Sequence, residues 1–194
     1  MTSKRKKSAN AGTSESETSG TLATRDEPSD VSYRTVPLHV RTLRESGGRV
    51  VFTNGCFDLL HRGHVTYLEA ARSLGDVLVV GLNSDASVVR LKGPSRPVVP
   101  EEDRAAVLDA LGAVDTVILF DEDTPVRLLR ELRPAVYVKG GDYRVEDLPE
   151  AKVAAEIEAE VRILPFEPGY STTALIEKIR NMPRRRPAAS DTHR

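Results

Sequence analysis

The chain's 194 residues are 39% hydrophobic, with 28 Lys and Arg against 29 Asp and Glu for a net charge of -1. That is enough for one domain with a substantial core and too little for two, and the balanced charge gives no reason to expect nucleic acid or a membrane surface as partner. A single cysteine excludes an intramolecular disulfide framework, and no apolar stretch is long enough to span a bilayer or form a signal-peptide core, so a soluble cytoplasmic protein with small-molecule partners is expected.

Residues 1–33 are rich in Ser, Thr, Lys and Glu with hardly a large apolar side chain, and read as a disordered tail; Lys4-Arg5-Lys6-Lys7 reads as a solvated charge run. The domain is expected over residues 34–180. Its apolar pattern predicts a helix near 37–45 and a strand at 49–53, then a helix over 63–74. A strand at 77–82 and a short helix near 86–91 come next. Pro100 and an acidic first turn start a helix over 101–111, followed by a strand at 116–120. Thr124 is expected to cap a helix running to Leu132, which Pro134 stops before a strand at 135–139. A helix over 149–159, a strand at 161–164 and a helix over 172–179 complete the domain, and residues 181–194 read as a second, basic disordered tail.

This alternation predicts an α/β fold: a Rossmann-like parallel sheet of five strands with helices on both faces, joined by right-handed crossovers. In such a sheet ligands sit outside the carboxyl ends of the strands. Four unusual loops fall there, at 54–64, 83–85, 139–143 and 167–173, which points to one shared site.

The most informative loop is Thr53-Asn54-Gly55-Cys56-Phe57-Asp58-Leu59-Leu60-His61-Arg62-Gly63-His64. Residues three apart share one helix face, so His61 and His64 can act together, and Gly63 between them lets a ligand approach closely. The helix N-terminus adds unpaired amides and partial positive charge, which favour phosphate. Imidazoles donate hydrogen bonds to phosphoryl oxygens and carry charge near neutral pH. A zinc site from Cys56, His61 and His64 is the competing reading, but it lacks a clear fourth ligand; Cys56 reads better as a small buried residue.

Lys92-Gly93-Pro94-Ser95-Arg96-Pro97 holds two cations among turn-forming residues, and Lys139-Gly140-Gly141-Asp142-Tyr143 places a lysine at a strand end before two glycines. Gly169-Tyr170-Ser171-Thr172-Thr173 sets three hydroxyls at the start of the last helix. Ser171 or Thr172 would cap that helix, and together they describe a second phosphate cradle. Arg104, one turn into the 101–111 helix, lies near the same rim.

Taken together, 53–64 resembles the HxGH signature of the cytidylyltransferase-like nucleotidyltransferases at His61, Gly63 and His64, and Ser171-Thr172-Thr173 resembles their second signature. The order of the loops at 92–97, 102–104, 139–143 and 171–173 is similar, over about residues 47–180, to the adenylyltransferase domain of the bifunctional heptose-phosphate enzymes. The resemblance implies transfer of AMP from ATP to D-glycero-β-D-manno-heptose 1-phosphate, with Mg²⁺ accompanying ATP and pyrophosphate leaving. It also implies a free-standing enzyme served by a separate sugar kinase, and a homodimer, which is common among related enzymes.

The implied catalytic residues are His61, His64, Lys92 and Arg96. Thr53, Asn54, Gly55, Phe57, Asp58, Gly63, Lys139, Gly140, Asp142, Ser171, Thr172 and Thr173 would bind nucleotide, and Arg104 and Tyr143 the second substrate. No carboxylate cluster marks a metal site. Two rivals remain: a cytidylyltransferase acting on glycerol 3-phosphate or a similar small phosphate, and a nucleotide-binding sensor without turnover. A flavin-forming adenylyltransferase is a weaker third.

Overall fold

A computed structural model describes residues 31–33, 35–142, 144–165 and 167–183. Six strands form one parallel sheet: β1 (Val31–Tyr33), β2 (Val50–Gly55), β3 (Val77–Asn83), β4 (Thr116–Phe120), β5 (Val136–Gly140) and β6 (Glu160–Leu164), in the order β1-β4-β3-β2-β5-β6. The helices are α1 (Leu38–Glu45), α2 (Arg62–Arg72), α3 (Asp85–Lys92), α4 (Glu101–Asp109), α5 (Val126–Leu132), α6 (Ala151–Glu156) and α7 (Thr172–Arg180).

The strands read as continuous apolar runs because both faces of the sheet are covered. Alternate residues nevertheless divide cleanly. Val51, Leu78, Val80, Val117, Val136 and Val138 pack with Leu68 and Ala71 of α2 and Ala105 and Leu108 of α4. Their neighbours Val50, Phe52, Val79, Ile118, Phe120 and Tyr137 pack on the other face with Val40 of α1, three leucines of α5 and Val153 of α6. A one-residue slip of any central strand would exchange these two sets, so register is strongly specified.

All five expected strands are present, and β1 adds a sixth in the segment read as a tail: Val31 to Tyr33 pair parallel with Val117 to Leu119. Three residues are too short for periodicity to register; this strand exists because β4 offers it an edge. The rest of the expected tails, at 1–30 and 184–194, lies outside the described residues. Thr124 is not the cap expected: the residue before α5 is Pro125, which offers no side-chain acceptor. Ser171 does cap α7, its hydroxyl accepting from the Ala174 amide at 3.4 Å.

From β2 the chain steps through β3 to β4, then returns to pair β5 against the other side of β2. The reversal opens a crevice between the carboxyl ends of β2 and β5, where this class of sheet receives ligands.

Candidate active site

A cleft of about 760 Å³ lies at that reversal, and all four loops contribute to its wall. At its centre, β2 ends in Asn54 and Gly55, and the backbone turns through Phe57, held at φ 42°. This left-handed conformation is costly for a non-glycine residue and marks a turn fixed by its surroundings. Phe57 is 7% exposed, and its ring lies 5.4 Å from that of His64. A Cβ on Gly55 would come within 3.0 Å of the Phe57 ring, so the glycine makes room for this wall.

His61 and His64 flank the first turn of α2 with their rings stacked, centroids 3.8 Å apart and planes inclined by 16°. Burial, reinforced by the neighbouring His61, pushes His64 down to about 4, and burial also lowers His61. The ligand-free pair is therefore neutral at pH 7. Two cations stacked this closely would repel. Gly63 has the close approach expected of it, but to protein: an added Cβ would lie 2.9 Å from Cβ of Tyr170.

Three buried side-chain polar atoms lack a hydrogen-bond partner among the described residues: Nδ1 of His61, Nδ1 of His64 and Oε2 of Glu150. All three belong to the wall of this one cleft. Buried polar groups are ordinarily satisfied, so their collection here marks the cleft as built for polar contacts that a ligand completes.

The opposite rim carries cations. Lys92, at the end of α3, and Arg96 both line the cleft. Arg96 is ion-paired with Asp58, whose carboxylate also accepts from the amides of Val98 at 2.8 Å and Val99 at 2.9 Å. Burial works to raise the Asp58 pKa, but these hydrogen bonds and the guanidinium outweigh it and hold the carboxyl below its usual range. Asp58 thus pins the 94–99 loop, and its oxygens are engaged by protein.

Several residues expected to touch ligand serve as struts. Thr53 is fully buried, its hydroxyl 2.6 Å from that of Tyr67. Tyr67 donates its one proton to the Val138 carbonyl at 3.2 Å, so Thr53 donates to Tyr67 and the three tie β2, α2 and β5 together. Burial pushes Tyr67 up to about 12.

Arg104, expected at the substrate, is 1% exposed. Its guanidinium donates to the carbonyls of Val99 at 3.0 Å and Asn83 at 2.9 Å, to Asp85 at 2.7 Å, and to the Cys56 carbonyl. One buried side chain thereby fixes three of the loops around the cleft. Asp142 is exposed and outside the cleft wall, and Tyr143 lies outside the described residues.

At the β5 end, Asn54 Oδ1 accepts from the Tyr137 hydroxyl at 2.8 Å. Lys139 donates to Glu150 Oε1 at 3.1 Å and to the Tyr137 oxygen at 3.3 Å, and Gly140 lines the cleft beside it. Ser171, Thr172 and Thr173 close the far side, Thr172 also donating to the Leu59 carbonyl at 3.3 Å. Sequence reasoning missed Glu150 and Tyr170. Tyr170 stood inside a motif already noted; Glu150 fell within an expected helix, where nothing distinguished it from other exposed carboxylates.

Among the described residues no group of three or more His, Cys, Asp and Glu side chains is placed to hold a metal ion, and no helix is long and apolar enough to cross a membrane. The cleft wall carries carboxylates, including Asp123 and Asp147.

Residues 52–178 match the family model described as Cytidylyltransferase-like. The chain is 56% identical over 143 residues to Bifunctional protein HldE of Pseudomonas paraeruginosa (strain DSM 24068 / PA7), covering 74% of this chain and 30% of that protein. It is 51% identical over 141 residues to Bifunctional protein HldE of Helicobacter pylori (strain Shi470), covering 73% and 30%. The chain therefore spans about 30% of the length of the curated relatives it matches. The crystal structure of the lipopolysaccharide core biosynthesis protein from Thermoplasma volcanium GSS1 superposes with a TM-score of 0.51 at 32% identity, over 62% of this chain and 98% of that one.

Proposed function

The chain belongs to the cytidylyltransferase-like family, and we propose that its cleft transfers AMP from ATP to D-glycero-β-D-manno-heptose 1-phosphate, giving ADP-heptose and pyrophosphate. One observation carries this reading: a stacked imidazole pair, each ring with an unpartnered buried Nδ1, shares the cleft wall with Lys92, Arg96 and a helix start rich in hydroxyls. High identity to the HldE proteins supports the adenylyl branch, and a structural relative in lipopolysaccharide core biosynthesis fits a sugar-nucleotide product.

The chemistry asks little of a base. A sugar phosphate is anionic at neutral pH, and its oxygen attacks the α-phosphorus while the bond to the bridging oxygen breaks and its electron pair leaves with pyrophosphate. The protein must align these atoms and offset developing charge. His61 and His64 donate to the α-phosphate region and take up protons as the phosphate chain arrives. Lys92 meets the incoming or departing phosphate, with Arg96 adding charge from its tether on Asp58. Ser171, Thr173 and the α7 amides hold the β- and γ-phosphates.

Enzymes of this kind generally use Mg²⁺ with ATP. With no group of three or more ligating side chains among the described residues, the ion would be held chiefly by phosphate oxygens, which suits its preference for few protein ligands. ATP and a sugar phosphate as substrates place the reaction in the cytoplasm, downstream of a sugar kinase.

Pyrophosphate release from ATP, CTP and other triphosphates, each paired with heptose 1-phosphate, glycerol 3-phosphate and flavin mononucleotide, tests the assignment. ATP with heptose 1-phosphate should turn over fastest. A preference for CTP with glycerol 3-phosphate would overturn it, and no turnover with any pair would leave a nucleotide sensor.

A further inference from the structure

Glu150 stands immediately before α6, in the wall of the cleft, and is 3% exposed. One oxygen accepts from Lys139; the other is buried without a donor. Tyr137 has a single proton and gives it to Asn54. Burial first, then the charge of Glu150 and the hydrogen-bond reach of its carboxylate, hold the Tyr137 hydroxyl well above its usual pKa, so it stays protonated. Leu148 and Pro149, which line the cleft just before Glu150, bring no donor side chain.

The site selects its ligand by charge. With Lys139 already paired to Glu150, an anion gains little here and meets a carboxylate; phosphate is better received at Lys92, elsewhere in the cleft wall. A metal ion finds no cluster of three or more ligating side chains among the described residues. An uncharged hydroxyl suits the vacancy, since O–H to carboxylate hydrogen bonds are short and strong. A site built around a substrate hydroxyl also rejects analogues that lack it.

We infer that Glu150 is a specificity-determining residue whose free carboxylate oxygen accepts a hydrogen bond from a substrate hydroxyl, with Lys139 holding it in place. The inference rests on the proposed transfer for the identity of the two substrates. Both carry hydroxyls, on the ribose of ATP and on the heptose, and the test distinguishes them.

Equilibrium binding of ATP and of heptose 1-phosphate, measured calorimetrically on the full chain and on Glu150→Gln, requires no turnover. Glu150→Gln should weaken one substrate by about tenfold to a hundredfold, the worth of a hydrogen bond to a charged group, and leave the other within about twofold. If ATP is affected, 2′-deoxy-ATP or 3′-deoxy-ATP should bind the wild type correspondingly more weakly, and the variant should lose nothing further with that analogue. If the sugar is affected, a deoxy sugar phosphate should behave in the same way.

Unchanged affinity for both substrates overturns the inference. So does a loss that persists with every deoxy analogue, which would trace it to a displaced Lys139. The wild type alone also tests it, because the inference fails if no deoxy analogue binds more weakly than its parent. A wild type that binds both substrates without turning them over overturns the proposed transfer and leaves the Glu150 comparison readable; one that binds neither overturns both.

Discussion

The histidine end of the 54–64 turn and the stretch at 92–104 line one cleft and treat their polar atoms in opposite ways. In the first, two imidazoles are stacked with a buried nitrogen each and no partner for it. In the second, Arg96 is tied to Asp58, the Val98 and Val99 amides are taken by the same carboxylate, and the guanidinium of Arg104 is occupied by carbonyls and Asp85. Both stretches carry candidate binding residues in the sequence, the first more plainly than the second. The difference teaches that polar saturation separates scaffold from site: atoms already paired hold loops, and atoms left unpaired await a ligand.

If Arg104 is scaffold, Arg104→Ala should produce the largest stability effect. Three carbonyls lose a buried donor, at a combined cost of about 2–4 kcal/mol, lowering Tm by roughly 5–15 °C. Thermal melting checks this; an unchanged Tm with a raised KM would return Arg104 to the substrate.

His64→Ala should behave in the opposite way. Turnover should fall at least about a hundredfold with a smaller change in ATP affinity, as expected for a contact strengthened in the transition state. A near-normal kcat would remove His64 from catalysis.

Gly63→Ala falls between the two regions. Alanine favours a helix by about 1 kcal/mol over glycine, which should offset part of the strain. The new methyl would stand 2.9 Å from Tyr170 Cβ and 3.2 Å from the His61 ring, displacing the loop that carries Ser171 to Thr173. The expected result is a Tm close to wild type with activity reduced about tenfold, the scale at which small misplacements act.

The burial of His64 should also give stability a pH slope. The folded pKa of His64, about 4, is depressed below its ordinary 6.5, so the unfolded chain binds more protons between those values. The stabilisation of the neutral form is complete above pH 6.5 and declines as pH falls toward 4. Melting between pH 4 and 7 should show this decline in the wild type and a shallower one in His64→Ala; identical slopes would contradict the burial of a neutral ring.

The fold was legible because strands buried on both faces leave apolar runs, and five such runs lay between helical segments. The edge strand β1 was not: three residues carry no period, and β4 supplies the partner that makes them a strand. The imidazole pair and the hydroxyls at 171–173 were legible through spacing and helix position. What spacing could not convey is where a side chain's hydrogen bonds go. Thr53, Asp58 and Arg104 were expected at the ligand and serve protein atoms instead. Glu150 was overlooked because its partner Lys139 is eleven residues away and meets it only where β5 ends beside the start of α6.

Proton uptake on ATP binding tests most directly whether the vacant imidazoles receive the phosphates. Calorimetric titrations at pH 6 in buffers of different ionisation enthalpy should show net proton uptake by the wild type, because the His64 ring, neutral in the free protein, becomes charged beside the phosphate chain, and markedly less uptake by His64→Ala. Equal uptake by the two proteins, or none by the wild type, would contradict the account.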